Sequence, residues 1–102
     1  MTKLTSNEFL AIDQMMNDTC DWGKMDMVVA ANRGSRIVEM TLCETGVEDI
    51  AERLEMTVPQ AKGVLGSLVK KGYAHVWEND VNGRIVQMMN VTVEGILAWD
   101  EL

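Results

Sequence analysis

Apolar residues recur at three- and four-residue spacing along much of the chain, which is the period of an amphipathic helix. Three of these stretches are each preceded by a Thr-x-x-Glu or Thr-x-x-Gln pattern, beginning at Thr5, Thr45 and Thr57. In a capping box the threonine hydroxyl accepts a hydrogen bond from the third helical N–H, and the Glu or Gln side chain accepts one from the threonine N–H. The three patterns therefore predict three helix starts.

The spacing after these caps predicts how far the helices extend. Helices are expected over residues 6–18, 45–55 and 57–72, and the apolar residues at 37, 38, 40 and 42 predict a further helix over 35–43 without a cap of this kind. The helix over 57–72 ends in two lysines and a glycine, which suit the negative end of a helix and a left-handed stop. Residues 20–34 fit two structures, because they allow a short helix over residues 25–32 while Val28 and Val29 also suit a strand.

The pattern becomes extended after residue 72, and an Asn-Gly pair stands at 82–83. Asn-Gly favours a type I′ turn, which needs a positive φ at both central residues. We therefore predict an antiparallel hairpin over residues 73–91, with Val81 opposite Arg84. Thr92 then begins a final apolar stretch that predicts a C-terminal helix.

The predicted order gives an α+β fold that is mostly α: short helices, then a two-stranded hairpin, then a helix. The run IVEMTLCETGVEDIAERLEMTVPQAKGVLGSLVKKGYAHV, residues 37–76, resembles the winged helix-turn-helix superfamily. There an Ile-Ala-x-x-Leu helix and a short turn precede a recognition helix that ends Leu-x-x-Lys-Gly-Tyr. Downstream, NVTVEG resembles the Leu-Thr-x-x-Gly that ends the wing of multiple-antibiotic-resistance-type transcription regulators, although Asn90-Val91 departs from the usual apolar pair.

This resemblance implies one winged-helix domain over residues 1–102, with an N-terminal extension (1–34), a core (35–91) and a C-terminal helix (92–102). Residues 57–72 would be the recognition helix and residues 73–91 the wing. In such proteins the start of the recognition helix enters the major groove of double-stranded DNA. The candidate DNA-binding residues are Gln60, Lys62, Gly63, Ser67, Lys70, Lys71 and Arg84.

Each of these candidates has an expected role on a duplex. Gln60 is suited to an adenine edge and Lys62 to guanine or a phosphate. Lys70, Lys71 and the hairpin-tip Arg84 are expected to contact phosphates, which positions a protein without reading sequence. The roles of Gly63 and Ser67 follow only from their outward positions on the same helix.

Charge both supports and opposes DNA binding. The chain has a formal net charge of −7, yet residues 56–77 hold three lysines and no acid. Helix-dipole stabilisation explains lysines in a last turn equally well. The preceding helix carries Glu48, Asp49, Glu52 and Glu55, which would repel phosphates. The alternative function is therefore an acidic winged-helix protein-interaction module, such as a phage-type inhibitor or nucleic-acid mimic, that does not bind DNA.

Other chemistry has little support in the sequence. The chain has one histidine, and Cys20 and Cys43 lack the neighbouring Cys or His of a zinc site, so we expect no enzyme activity, metal or cofactor. No run approaches the roughly 20 apolar residues of a membrane span, and the first ten residues do not resemble a secretion signal. We expect a cytoplasmic protein with no membrane contact.

Apolar residues near both ends exceed what one small core is expected to need. They are Phe9, Ile12, Met16, Ile96, Leu97 and Trp99. Related regulators form two-fold dimers through their terminal helices. We therefore expect a prokaryotic or phage transcription regulator that forms a homodimer in this way.

Overall fold

The computed structural model describes residues 4–17, 23–36 and 46–101, and in these ranges the chain is mostly helical with one antiparallel hairpin. The elements are α1 (Ser6–Asn17), α2 (Lys24–Asn32), α3 (Val47–Arg53), α4 (Val58–Lys70), β1 (Ala74–Val81), β2 (Arg84–Val91) and α5 (Val93–Asp100). The undecided segment 20–34 contains a helix, so the strand alternative is wrong. The helix predicted over residues 35–43 lies almost wholly outside the described residues.

Two of the three predicted capping boxes are present. The Thr5 amide donates to Glu8 Oε1 at 2.8 Å, and the Glu8 amide donates to Thr5 Oγ1 at 3.2 Å. At the start of α4 the Thr57 amide donates to Gln60 Oε1 at 2.9 Å, and the Gln60 amide donates to Thr57 Oγ1 at 3.2 Å. Both helices therefore begin at the residue that the sequence predicts.

The cap of α3 differs from the prediction. Gly46 is its N-cap residue, and the Gly46 amide donates to Asp49 Oδ2 at 2.9 Å. The helix begins one residue later than a Thr45 cap would require, which puts Asp49 rather than Glu48 at the third helical position. Glu48 is therefore an exposed acid with no cap role, and the prediction for this helix start is wrong.

The hairpin has the predicted position and register. Val81 is opposite Arg84, and Trp77 is opposite Met88. Asn82 and Gly83 both have positive φ, 54° and 81°, as a type I′ turn requires. The hairpin therefore extends from the body of the protein with Arg84 beside its tip.

All five helices and the hairpin contribute to the core, in which α1 packs against both α4 and α5. Its largest fully buried side chains are those of Ile12, Met15, Met16, Met27, Ile50, Leu68, Met89 and Ile96. Ile12, Met16 and Ile96 were expected to exceed the needs of one core, but all three are buried in the core of a single chain. The premise of the dimer prediction is wrong for these three, while Phe9 and Trp99 stack at 6.2 Å between ring centroids and remain half-buried.

The end of α4 is fixed to the start of α5. Thr92 Oγ1 donates to the Gly72 carbonyl at 2.7 Å, and the Thr92 amide donates to the Tyr73 carbonyl at 3.1 Å. Gly95 approaches the same segment so closely that a Cβ there would lie 2.1 Å from the Tyr73 carbonyl oxygen. These contacts fix the direction in which the hairpin leaves α4.

Candidate nucleic-acid interface

The side chains of α4 divide into four groups around the helix, because successive residues are turned by about 100°. Its inner face enters the core through Ala61, Leu65 and Leu68. What we call the outer ridge is exposed and consists of Pro59, Gly63, Gly66 and Lys70. The α1 flank consists of Gln60, Ser67 and Lys71. The wing flank, on the side of the hairpin, consists of Val58, Lys62 and Val69.

The outer ridge, the wing flank and the hairpin tip carry exposed cations. These are Lys70, Lys62 and Arg84. None of the three pairs with a carboxylate in the part of the chain that the structure describes. By contrast, Lys24 is paired with Asp13 at 2.8 Å. The three cations therefore remain available to a phosphate or a base edge.

The α1 flank has the opposite character, because it is bound to a buried carboxylate. Glu8 is only 2% exposed. Its Oε2 accepts from Ser67 Oγ at 2.6 Å, and its Oε1 accepts from Lys71 Nζ at 2.6 Å. Ser67 and Lys71 were both predicted to contact DNA. Both side chains instead donate to Glu8 on α1, so the interface proposed below does not depend on them.

The Glu8 carboxylate stays ionised near neutral pH, so its contact with Lys71 remains an ion pair. Burial alone would raise the pKa of Glu8, but hydrogen bonds from Lys71, Ser67 and the Thr5 amide outweigh burial and lower the pKa from 4.5 to about 2. The carboxylate is therefore ionised at any physiological pH. It holds Lys71 as a partly buried ion pair, with 20% of the lysine side chain exposed.

Gln60 and Gly63 are exposed as predicted, with different consequences. The carboxamide oxygen of Gln60 already accepts the Thr57 amide, so pairing with adenine through both oxygen and nitrogen would open the cap. Apart from the neighbouring backbone of α4 itself, no described atom lies within 4 Å of the position that a Cβ would take at Gly63 or Gly66. The middle of the outer ridge is therefore bare backbone that another surface can approach closely.

A shallow groove separates α4 from the hairpin. It has a volume of about 350 Å³ and is lined by Lys62, Leu65, Gly66, Val69 and Val76. On the opposite side, a cleft of about 550 Å³ lies between the first turn of α1, the α3–α4 turn and the α1 flank. The outer ridge runs between these two depressions, with Gly63 lining the cleft and Gly66 lining the groove.

The four acids predicted to repel phosphates are all exposed, in α3 or just after it; they are Glu48, Asp49, Glu52 and Glu55. Glu55 lies in the α3–α4 turn with φ of +54°, and the Met56 amide closes the helix end by donating to the Ala51 carbonyl at 2.9 Å. Phosphates approaching α4 from this end would meet negative charge. Favourable charge for a phosphate lies instead at Lys70 and the hairpin tip.

Residues 4–17, 23–36 and 46–101 hold neither a metal-binding cluster nor a membrane-spanning helix. No three His, Cys, Asp or Glu side chains in these ranges lie close enough together to hold a metal ion. None of the helices described there is long and apolar enough to cross a membrane.

Comparison with known proteins identifies the fold. Neither the protein-family models nor the curated protein sequences give a match. Among solved structures, the crystal structure of a MepR mutant from a multidrug-resistant S. aureus clinical isolate matches with a TM-score of 0.53 at 15% sequence identity. The match covers 98% of this chain and 59% of that chain, so this chain spans less than two thirds of MepR. The chain has a winged-helix fold, as its sequence predicts.

Proposed function

We propose that this protein is a small winged-helix transcription regulator that binds double-stranded DNA, similar to the multiple-antibiotic-resistance type. In this proposal α4 is the recognition helix and the β1–β2 hairpin is the wing. The observation that supports it most is the exposed group Lys62, Lys70 and Arg84, none of which is neutralised by a described carboxylate. In helix-turn-helix proteins the recognition helix lies in the major groove, and in this proposal the three cations would face that same duplex.

The interface follows from the division of α4 into flanks. Its outer ridge would enter the major groove, where Gly63 and Gly66 let the helix backbone approach the duplex. Lys70 and Arg84 would bind phosphates, and Lys62 would bind a phosphate or a guanine edge. Gln60 would use its amide nitrogen first, because its oxygen is engaged in the cap.

Lys71 and Ser67 have a supporting part in this proposal. Their bonds to Glu8 hold α4 against α1 while the opposite side of the helix remains open. The N-terminal helix therefore stabilises the orientation of the recognition helix without contacting DNA itself.

Assembly and location are parts of the same proposal. We expect a homodimer through the terminal helices α1 and α5, using Leu10, which is 46% exposed, and the half-buried Phe9 and Trp99. A two-fold dimer would present two copies of α4 to successive half-sites of a duplex. We place the protein in the cytoplasm, where such regulators meet DNA.

Charge reversal on the outer ridge provides the test. The intact protein should bind random-sequence duplex at low salt, and Lys70→Glu should abolish most of that binding because it places a negative charge against phosphate. Arg33→Glu is the matched control, since Arg33 is also exposed and unpaired among the described residues but lies at the end of α2. It should bind nearly as well as the parent.

Two results would contradict the proposal. Equal loss in both variants would show that only net charge matters and would remove α4 from the interface. Absence of duplex binding by the parent at low salt would favour the protein-interaction alternative. In that case the exposed acids of α3, Glu52 above all, become the residues to substitute.

A further inference from the structure

The first turn of α4 exposes two apolar side chains. Val58 is 37% exposed, and Pro59 lies on the outer ridge. Both carry only C–H groups beyond the backbone, so neither can donate to or accept from a base edge. Neither side chain belongs to the core. The ring of Pro59 suits the first turn of a helix, but this role does not depend on what its exposed face contacts.

The next turns of the helix add few hydrogen-bonding groups. Gly63 and Gly66 have no side chains, and the Gln60 oxygen is occupied by the cap. On the outer ridge and wing flank of these turns, Lys62 is the residue whose side chain can donate to a base. A helix equipped in this way can distinguish few bases by hydrogen bonds.

Apolar contact is the other means of direct readout in the major groove. The apolar group displayed there is the C5-methyl of thymine, which other proteins contact through small apolar side chains. The two bare glycines would let the start of α4 approach closely enough for such contact, which needs carbon–carbon separations of about 4 Å. Exposed Val58 and Pro59 are chemically suited to it.

We infer that α4 recognises thymine by its 5-methyl group, through Val58 and Pro59. This inference rests on the proposed function, and it names the base chemistry that the recognition helix would select. The binding preference would come from removing methyl, valine and proline surface from water. Each thymine contacted in this way should strengthen binding about fourfold over the same base without its methyl group.

Deoxyuridine gives a test that needs no variant protein, since it pairs as thymine does and lacks only the methyl group. Tight duplexes are first selected from a random-sequence library with the full chain. Each thymine is then replaced singly by deoxyuridine, and the affinities are compared at one salt concentration. We expect at least one position in the selected site at which the replacement weakens binding about fourfold.

Variants then show which residue contacts the thymine methyl group. Val58→Ala or Pro59→Ala should bring the thymine-to-deoxyuridine ratio close to one at the position that each residue contacts. Val69→Ala is the matched control, because Val69 is a similarly exposed valine on the wing flank, about three turns further along α4. It should leave the ratio as it is in the parent.

The outcomes separate this inference from the function on which it rests. Duplex binding with no thymine discrimination at any position would overturn the inference and leave DNA binding intact. Discrimination that persists in both Val58→Ala and Pro59→Ala would overturn the residue assignment. Failure of the parent to bind any duplex at low salt would overturn the proposed function, and the inference with it.

Discussion

Lys70 and Lys71 are adjacent in the sequence, and the structure gives them opposite surroundings. Lys71 lies on the α1 flank, where Glu8 holds it at 2.6 Å in a partly buried ion pair. Lys70 lies on the outer ridge, exposed and without a carboxylate partner in the described chain. One flank of α4 therefore fixes the helix to the protein, and the other side leaves its charges available. The function of a lysine on this helix depends on which element packs against its side.

The two lysines should differ most in how much each contributes to the free energy of unfolding. Lys71→Met should lower the free energy of unfolding by about 3 kcal/mol, since it leaves the buried Glu8 carboxylate without its charge partner. Lys70→Met should change it by less than about 0.5 kcal/mol. Urea denaturation of both variants measures the difference. Equal effects would show that the two sides of α4 do not differ as described.

Acid should weaken the same contact. Glu8 has a folded-state pKa of about 2, below its ordinary 4.5, so its contribution to stability is fully present above about pH 4.5 and is lost as the pH falls toward 2. A shift of this size corresponds to about 3 kcal/mol.

The control for this pH dependence is Glu8→Gln. It should unfold more readily than the parent at neutral pH, and the difference should shrink steadily as acid is added. A difference that stays constant between pH 5 and pH 2 would mean that Glu8 titrates normally in the folded protein.

Substitutions on the outer ridge should change the free energy of unfolding by a smaller amount and in the opposite direction. Gly63→Ala and Gly66→Ala should each stabilise the protein by about 1 kcal/mol, because open space surrounds both positions and alanine favours a helix more than glycine does. If the bare backbone approaches DNA, each change should also weaken duplex binding. Thermal unfolding and duplex titration of the same samples would show both effects, and tighter binding would contradict the close approach.

Local patterns in the sequence predicted the parts of the fold that depend on a few neighbouring residues. The boxes at Thr5 and Thr57 and the Asn-Gly turn are of this kind, because their hydrogen bonds and φ angles are set within four residues. The start of α3 was missed by one residue because two acids stand side by side, at 48 and 49, and either can occupy the third helical position.

The contact of Glu8 with Ser67 and Lys71, which distinguishes the α1 flank from the outer ridge, could not be predicted from local sequence patterns. Glu8 meets Ser67 and Lys71 across 59 and 63 positions, so only tertiary packing brings them together. The Thr5 pattern predicts that Glu8 caps α1, and it does. Its additional bonds to Ser67 and Lys71 have no local signal in the sequence. The exposure of Lys62, Lys70 and Arg84 was predicted, because helix periodicity and the hairpin tip are local features.

The salt dependence of duplex binding tests the division of α4 most directly. With Lys62, Lys70 and Arg84 each binding one phosphate, a dimer should show a slope of log affinity against log salt of about −5. Lys70→Ala should reduce its magnitude by about 2, one contact for each protomer, while stability stays unchanged. A slope that is the same in Lys70→Ala and in the parent would contradict the claim that the exposed side of α4 meets DNA.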